Sequence, residues 1–267
     1  MRTIDERAIK AHADRRFRSE YDYALFEYFR SAKVIAFLER SGISVRGRVL
    51  DAGCGGGQHM RFVAPHAREV VGVDLNCAAL AAEKCRDFPN VSTVEGDLAT
   101  VDLGRQFDLV YSIGVLHHTD DPRRCFMNLA RHVRPGGRMI VWVYSHEGNG
   151  LVRAVIEPLK RHVYGRWPRP VLLALARLLT ALLYVPVYSL YLLPLRVLPY
   201  WGYFRNMRRL GFERNVLNIF DKLNAPQTVF LRRKEVAEWF ARDFTDVHLS
   251  PYVGVSWRAS GTRRAAS

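Results

Sequence analysis

Nine consecutive residues constrain this chain more than any other stretch: Val49, Leu50, Asp51, Ala52, Gly53, Cys54, Gly55, Gly56 and Gly57. Two apolar residues lead into an acid, and the chain passes at once into a loop dominated by glycine. Glycine between a strand and a helix lets a ligand approach the backbone closely, and the exposed amides there bind carboxylate or phosphate oxygens. A nucleotide-like ligand site is therefore expected at this point. A dinucleotide fingerprint needs glycines at loop positions one, three and six, but counting from Gly53 the sixth position is Gln58. NAD and FAD are accordingly disfavoured.

The sequence around the loop alternates in the way a parallel sheet requires. Arg48 to Asp51 reads as a buried strand and Val70 to Asp74 as a second, with a helix-sized gap between them. Ala78 to Arg86 reads as a helix, Val91 to Glu95 and Phe107 to Ser112 as strands, Pro122 to Val133 as a helix, and Arg138 to Tyr144 as a fifth strand. Pro135, Gly136 and Gly137 are expected to turn the chain before that strand. Upstream, Asp5 to Arg40 has helical character, stopped by Gly42. Downstream the alternation breaks. A helix-rich stretch runs from about Asn149 to Leu223, then a helix at Lys234 to Ala241 and strands at Asp246 to Ser250 and Val255 to Ser260.

At 267 residues the chain can bury one α/β core and carry an elaboration on it. Lys and Arg outnumber Asp and Glu by 40 to 26, a formal +14, which favours anionic partners: nucleic acid, phosphorylated compounds or acidic lipid. Cys54, Cys77, Cys85 and Cys125 form no C-x-x-C pair and have no clustered histidines at zinc-ligand spacing, so a reduced protein without metal is expected. Charges crowd the first forty residues and leave no apolar signal segment, so a cytoplasmic location is expected.

The acid followed by G-x-G-x-G resembles motif I of class I, Rossmann-like methyltransferases that use S-adenosylmethionine. Ser112-Ile113-Gly114-Val115-Leu116-His117-His118-Thr119-Asp120-Asp121-Pro122, with Arg134-Pro135-Gly136-Gly137, is similar to the post-strand motifs of the ubiquinone and menaquinone methyltransferase branch. The resemblance covers roughly Arg48 to Tyr144. It implies a seven-stranded sheet with helices on both faces and a helical cap inserted between strand 5 and the final helix. The corresponding domains are an N-terminal helical lid (1–44), a cofactor-binding core (45–146), an apolar cap (147–225) and a closing helix and strand pair (226–267). Tyr21, Tyr23 and Phe26 are candidate lid residues.

The same resemblance assigns cofactor contacts to Asp51, Gly53, Cys54, Gly55 and Gly57 on the loop. It adds Asp74 with Leu75 for the ribose diol, Asp97 with Leu98 for the adenine amino group, and Ser112 after the fourth strand. Methyl transfer is an in-line displacement on a sulfonium, so the protein must align three centres and remove a proton where the acceptor is a hydroxyl. His117 and His118 stand where relatives place residues beside cofactor and substrate. Tyr144, at the end of the fifth strand, faces the same region. No metal is expected.

From Leu178 to Leu195 there is no charged residue, and Arg169, Arg177, Arg196, Arg205, Arg208 and Arg209 flank the run. Pro186 and Pro194 break it, and Tyr184, Tyr188 and Tyr191 suit an interface better than a bilayer interior. Two uses remain, a hydrophobic cap over the site and an amphiphilic hairpin on an anionic membrane surface. Both point to a small lipophilic, lipid-linked or glycan-linked acceptor. A nucleic-acid methyltransferase is the alternative that the charge invites, yet the fourth strand leads into Ser112-Ile113-Gly114-Val115 rather than an Asn/Asp-Pro-Pro-aromatic motif, and no Pro-Cys pair occurs. A catalytically idle, membrane-docked binding module is the alternative of another class.

Overall fold

The computed structural model describes residues 46–225 and 227–265. The expected lid over 1–44, with Tyr21, Tyr23 and Phe26, lies outside the described residues.

Seven strands form one sheet in the order β3-β2-β1-β4-β5-β7-β6. The first strand, β1 (Arg48–Ala52), lies between β2 (Glu69–Asp74) and β4 (Phe107–Ile113) and is parallel to both. With neighbours on each edge and helices on each face, it must be apolar on both sides, which explains why Val49, Leu50 and Ala52 are all fully buried. The strand β3 (Val91–Glu95) adds outside β2, and β5 (Val133–Tyr144) adds outside β4, again parallel. The chain then reverses. A hairpin of β6 (Phe244–Tyr252) and β7 (Ser256–Arg263) places β7 antiparallel against β5.

Two apolar clusters cover the sheet. One joins Leu50, Val110 and Met139 to Phe126, Trp239 and Phe240, and the other joins Val49, Leu109 and Tyr111 to Met60, Ala81 and Cys85. The helices that close them are α1 (Met60–Val63), α2 (Ala78–Lys84), α3 (Pro122–Arg131) and, from the C-terminal part, a helix over Arg233–Ala241. Local chemistry sets the start of α3. The Asp121 side chain accepts from the Arg124 amide at 2.9 Å, and Pro122 occupies the first helical turn.

Several boundaries differ from expectation, among them the helix expected over Pro122 to Val133, which ends at Arg131. The fifth strand starts at Val133 rather than Arg138, because Val133 pairs with Phe107 while Leu109 pairs with Arg138, so residues from Arg134 to Gly137 loop out as a bulge inside the strand. The helix expected to Arg86 ends at Lys84. Both C-terminal strands run longer than their apolar patterns, since hairpin pairing propagates from Phe244↔Arg263 to Tyr252↔Ser256 irrespective of side-chain polarity.

Between β5 and the Arg233 helix the chain makes a helical insert. A segment over Val152–Tyr164, wound partly as π-helix, leads to α4 (Arg169–Val187), then a 3-10 turn at Leu190–Leu192, α5 (Trp201–Met207) and α6 (Phe212–Asn224). The uncharged run is thus divided: α4 ends one residue after Pro186, and Pro194 lies beyond the 3-10 turn. Packing of α4 against α6 buries Leu172, Ala176, Val216 and Leu223 as a small core of its own. By length and composition α4 could cross a membrane, and only 22% of its most apolar window is buried.

The helix over Arg233–Ala241 is hereafter α7.

Candidate active site

The loop after β1 turns on three glycines in the left-handed region, Gly53 (φ 86°), Gly55 (φ 50°) and Gly57 (φ 78°). Their surroundings differ. A side chain at Gly53 would collide with Val115 and one at Gly57 with the Cys85 sulfur, whereas at Gly55 it would meet only the Gln58 Oε1 at 3.4 Å. Gly53 and Gly57 are therefore small because the protein packs against them, and Gly55 opens onto space that a ligand can fill. The turn is fixed by its own amides, with those of Gly53 and Cys54 both donating to the Val73 carbonyl, at 2.7 and 3.0 Å.

Asp74, at the end of β2, sits directly against this opening. Its Oδ2 accepts from the Gly55 amide at 2.9 Å, and its Oδ1 accepts from the amides of Asn76 and Cys77 at 3.0 and 2.9 Å. One lone pair of Oδ2 remains for a hydroxyl, so the carboxylate both holds the loop and can take a ribose. Leu75 beside it is 56% exposed. Past β3, Asp97 is exposed and steadies its own turn by accepting from the Ala99 amide at 2.8 Å. Loop, Asp74 and Asp97 all lie at the carboxyl ends of parallel strands, where open α/β sheets bind ligands. An open glycine cradle flanked by two acids fits S-adenosylmethionine.

Four side chains grouped with these from the sequence have another place. Cys54 packs into the core beneath the loop, Leu98 is turned into the opposite core, and the Ser112 hydroxyl, fully buried, donates to the Ala52 carbonyl at 2.8 Å. Asp51 is also buried and accepts from the Tyr111 hydroxyl at 3.0 Å. Burial pushes its carboxyl up to about 8, against the Tyr111 hydrogen bond that lowers it and with the Asp74 charge that raises it. At these positions only the backbone is available to a ligand. Asp51 and Ser112 stand on central strands buried on both faces, Cys54 and Leu98 on loops packed onto the two cores, and motif spacing does not record this.

After β4, a 3-10 turn over Leu116–His118 carries the two histidines to Tyr144 at the end of β5. The His117 ring lies 4.1 Å from the Tyr144 ring and 4.2 Å from His118 between centroids, with Trp142 edge-on at 6.0 Å. His117 is fully buried, and neither ring nitrogen has a hydrogen-bond partner among the described residues. Burial, then His118, then Lys222 hold it well below the usual histidine range, so the ring is neutral. His118 Nδ1 lies 2.9 Å from the Gln227 carbonyl. A carbonyl only accepts, so Nδ1 carries a proton, and in the neutral tautomer that this fixes the lone pair is on Nε2.

The insert contributes residues that no motif marked. From α6, Asp221 Oδ2 is 3.4 Å from the Tyr144 hydroxyl, and Lys222 Nζ stands over the Tyr144 and Tyr203 rings at 5.6 and 5.1 Å. Burial alone would pull the Lys222 ammonium down, but the phenols of Tyr144 and Tyr203 and the Asp221 carboxylate outweigh it and hold the group above the ordinary lysine range. Phe230 stacks on Tyr144, and the Val229 amide donates to the His117 carbonyl at 2.8 Å. The only signal of α6 in the sequence is its helical periodicity, since the Tyr144 that Asp221 meets lies 77 residues away.

Residues 50–141 match the sequence profile of a family described as "Methyltransferase domain". The chain is similar to a trans-aconitate 2-methyltransferase of Deinococcus radiodurans, 32% identical over 44% of this chain and 47% of that protein. It is also similar to a ubiquinone biosynthesis O-methyltransferase of Coxiella burnetii, 30% identical over 48% of this chain and 60% of that one. The chain spans about half the length of the curated relatives it matches. Among solved structures, a magnesium protoporphyrin IX methyltransferase of Synechocystis with bound SAH superposes with a TM-score of 0.51 at 15% identity, covering 97% of this chain and all of that one. A DhpI–SAH complex gives 0.51 at 16% identity, covering 98% and 96%. These superpositions share the fold.

Proposed function

We propose a function on one premise: the chain carries a class I, Rossmann-like S-adenosylmethionine-dependent methyltransferase domain, and S-adenosylmethionine is its cofactor. On this reading the protein methylates a small, lipophilic or lipid- or glycan-linked biosynthetic acceptor, at the carboxyl edge of the sheet. The observation that carries it is the loop whose one open glycine, Gly55, hydrogen-bonds to Asp74.

The bound cofactor supplies an electrophilic methyl on a sulfonium. The chain's own residues do the rest. Amides of the 53–57 loop and the carboxylates of Asp74 and Asp97 hold and orient the ligand. The rings of His117, Trp142 and Tyr144 exclude water from the end of the pocket. His118, with Nδ1–H fixed on the Gln227 carbonyl, presents Nε2 to take a proton from a hydroxyl acceptor, as a general base does. Asp221 orients Tyr144 against the same point.

The lipophilic acceptor is supported by the insert. Leu178, Leu182, Val185 and Val197 are 57%, 58%, 71% and 88% exposed beside a strongly basic set of arginines. That pairing suits docking on an anionic surface at the inner face of a membrane, where apolar side chains enter and arginines meet headgroups.

Calorimetry with S-adenosylmethionine, followed by transfer of a labelled methyl into a membrane extract, tests the reading. Binding in the micromolar range and a labelled lipid-soluble product are expected. Asp74→Ala should weaken binding at least tenfold. No binding would overturn the assignment, and binding without any transfer would leave a docking module instead.

A further inference from the structure

At the acceptor end of the site lies a cation, Lys222, that has no ion pair among the described residues. Lys222 Nζ contacts the Tyr203 hydroxyl and the Asn218 carbonyl, both at 3.3 Å, and two aromatic faces. No carboxylate among the described residues forms an ion pair with it; neighbouring Asp221, whose Oδ2 faces the Tyr144 hydroxyl, acts on it from longer range. Beside this cation is His117, fully buried with neither ring nitrogen partnered among the described residues. An ammonium that Asp221 reaches only beyond ion-pair distance and a buried imidazole with no hydrogen bond among the described residues are each incompletely satisfied, at a cost, and both pack against Tyr144. Both costs vanish if a single bound group brings a negative oxygen to Lys222 and a polar atom to His117.

Resting on the methyltransferase reading above, we propose that Lys222 is a specificity residue which binds an anionic oxygen, carboxylate or phenolate, on an acceptor with an aromatic or otherwise apolar body. The apolar body is set by the walls. Tyr144 and Phe230 stack with their planes 18° apart, and Trp142 lies edge-on to Tyr144 at 5.5 Å. The cofactor cradle is served by different residues, the 53–57 loop with Asp74 and Asp97, whereas Lys222 reaches the site from the insert. The insert therefore selects the acceptor by charge as well as by its apolar character.

The probe pair is 3-phenylpropionate and its neutral isostere 3-phenylpropionamide, titrated into the full chain saturated with S-adenosylhomocysteine. The wild type should bind the acid at least tenfold tighter than the amide. Lys222→Met should abolish that preference and Lys222→Arg should retain part of it, with affinity for S-adenosylhomocysteine within twofold in all three proteins. Equal affinity for the two probes, including no binding of either at millimolar concentration, overturns the proposal while leaving the methyltransferase reading intact. A tenfold loss of S-adenosylhomocysteine affinity in Lys222→Met also overturns it, since the anion served would then be the cofactor's carboxylate. Failure of the wild type to bind S-adenosylhomocysteine at all removes the reading on which the proposal rests, and the proposal with it.

Discussion

Gly55 and Gly57 are two residues apart, share a left-handed backbone, and should respond to the same substitution in opposite ways. An added methyl at Gly57 meets the Cys85 sulfur at 2.7 Å, so Gly57→Ala combines strain with a clash and should lower stability by about 2 kcal/mol or more. At Gly55 only the strain applies, about 1 kcal/mol, so Gly55→Ala should fold with a slightly lower melting temperature yet bind S-adenosylmethionine at least tenfold more weakly. Thermal melting and calorimetry on both variants check this; a Gly55→Ala protein with unchanged affinity would mean the ligand lies elsewhere. Asp51 gives a pH dependence. Its carboxyl is raised by burial to about 8, so between its ordinary range near 4 and that value the folded chain keeps a proton that the unfolded chain loses. Stability contributed by the neutral carboxyl is complete at acid pH and declines as pH rises towards 8. Asp51→Asn, which cannot ionise, should flatten that decline by up to a few kcal/mol. Urea unfolding at pH 5 and pH 8 measures it, and parallel profiles for the two proteins would show that Asp51 ionises normally.

Among the elements, the insert is where composition and fold are least predictable from each other. Helix α4 has a mean composition fit for a membrane, yet one side of it packs on α6 through Leu172 and Ala176, and Arg177 reaches Glu213 at 3.4 Å. The other side leaves Leu178, Leu182 and Val185 exposed. A helix so divided suits resting in an interface rather than spanning a bilayer. If arginines at the end of α5 and just beyond it meet acidic headgroups, each adds on the order of 1 kcal/mol, and that attraction is screened by salt. Sedimentation with phosphatidylserine vesicles should therefore show binding that falls between 50 and 500 mM salt, about, and that falls further in the Arg205→Gln, Arg208→Gln, Arg209→Gln triple variant. Cofactor affinity should not change, because these arginines stand outside the loop and its acids. Wild-type protein that ignores acidic vesicles at low salt would leave the apolar face as an acceptor cap or a contact between copies.

For the whole molecule, ligand binding and stability are linked, since a cofactor held by the residues proposed above would span the ends of β1, β2 and β3, an arrangement that an unfolded chain does not offer. S-adenosylhomocysteine at about 100 times its Kd should add roughly 2.7 kcal/mol, raising the melting temperature by about 5–10 °C for a chain of this size. NADH should leave it unchanged; the reverse result would reassign the site. What the sequence by itself determined is whatever depends on neighbours along the chain. The positive-φ turn at Gly53, Gly55 and Gly57, the acid closing β2, the cap of α3 and the parallel run from β1 to β5 all rest on local turn chemistry and hydrophobic period. Only the tertiary structure decided which side chains at those positions face a ligand. It turned Asp51, Cys54, Leu98 and Ser112 inward, Asp51 and Ser112 because their strands β1 and β4 are central in the sheet, and Cys54 and Leu98 because the loops that carry them pack onto its two cores. It likewise placed β7 between β5 and β6 and brought Asp221 and Lys222 against Tyr144, some 77 residues away for the first of them. Contacts at that separation are set by how the insert packs back on the sheet, and neither periodicity nor spacing encodes that.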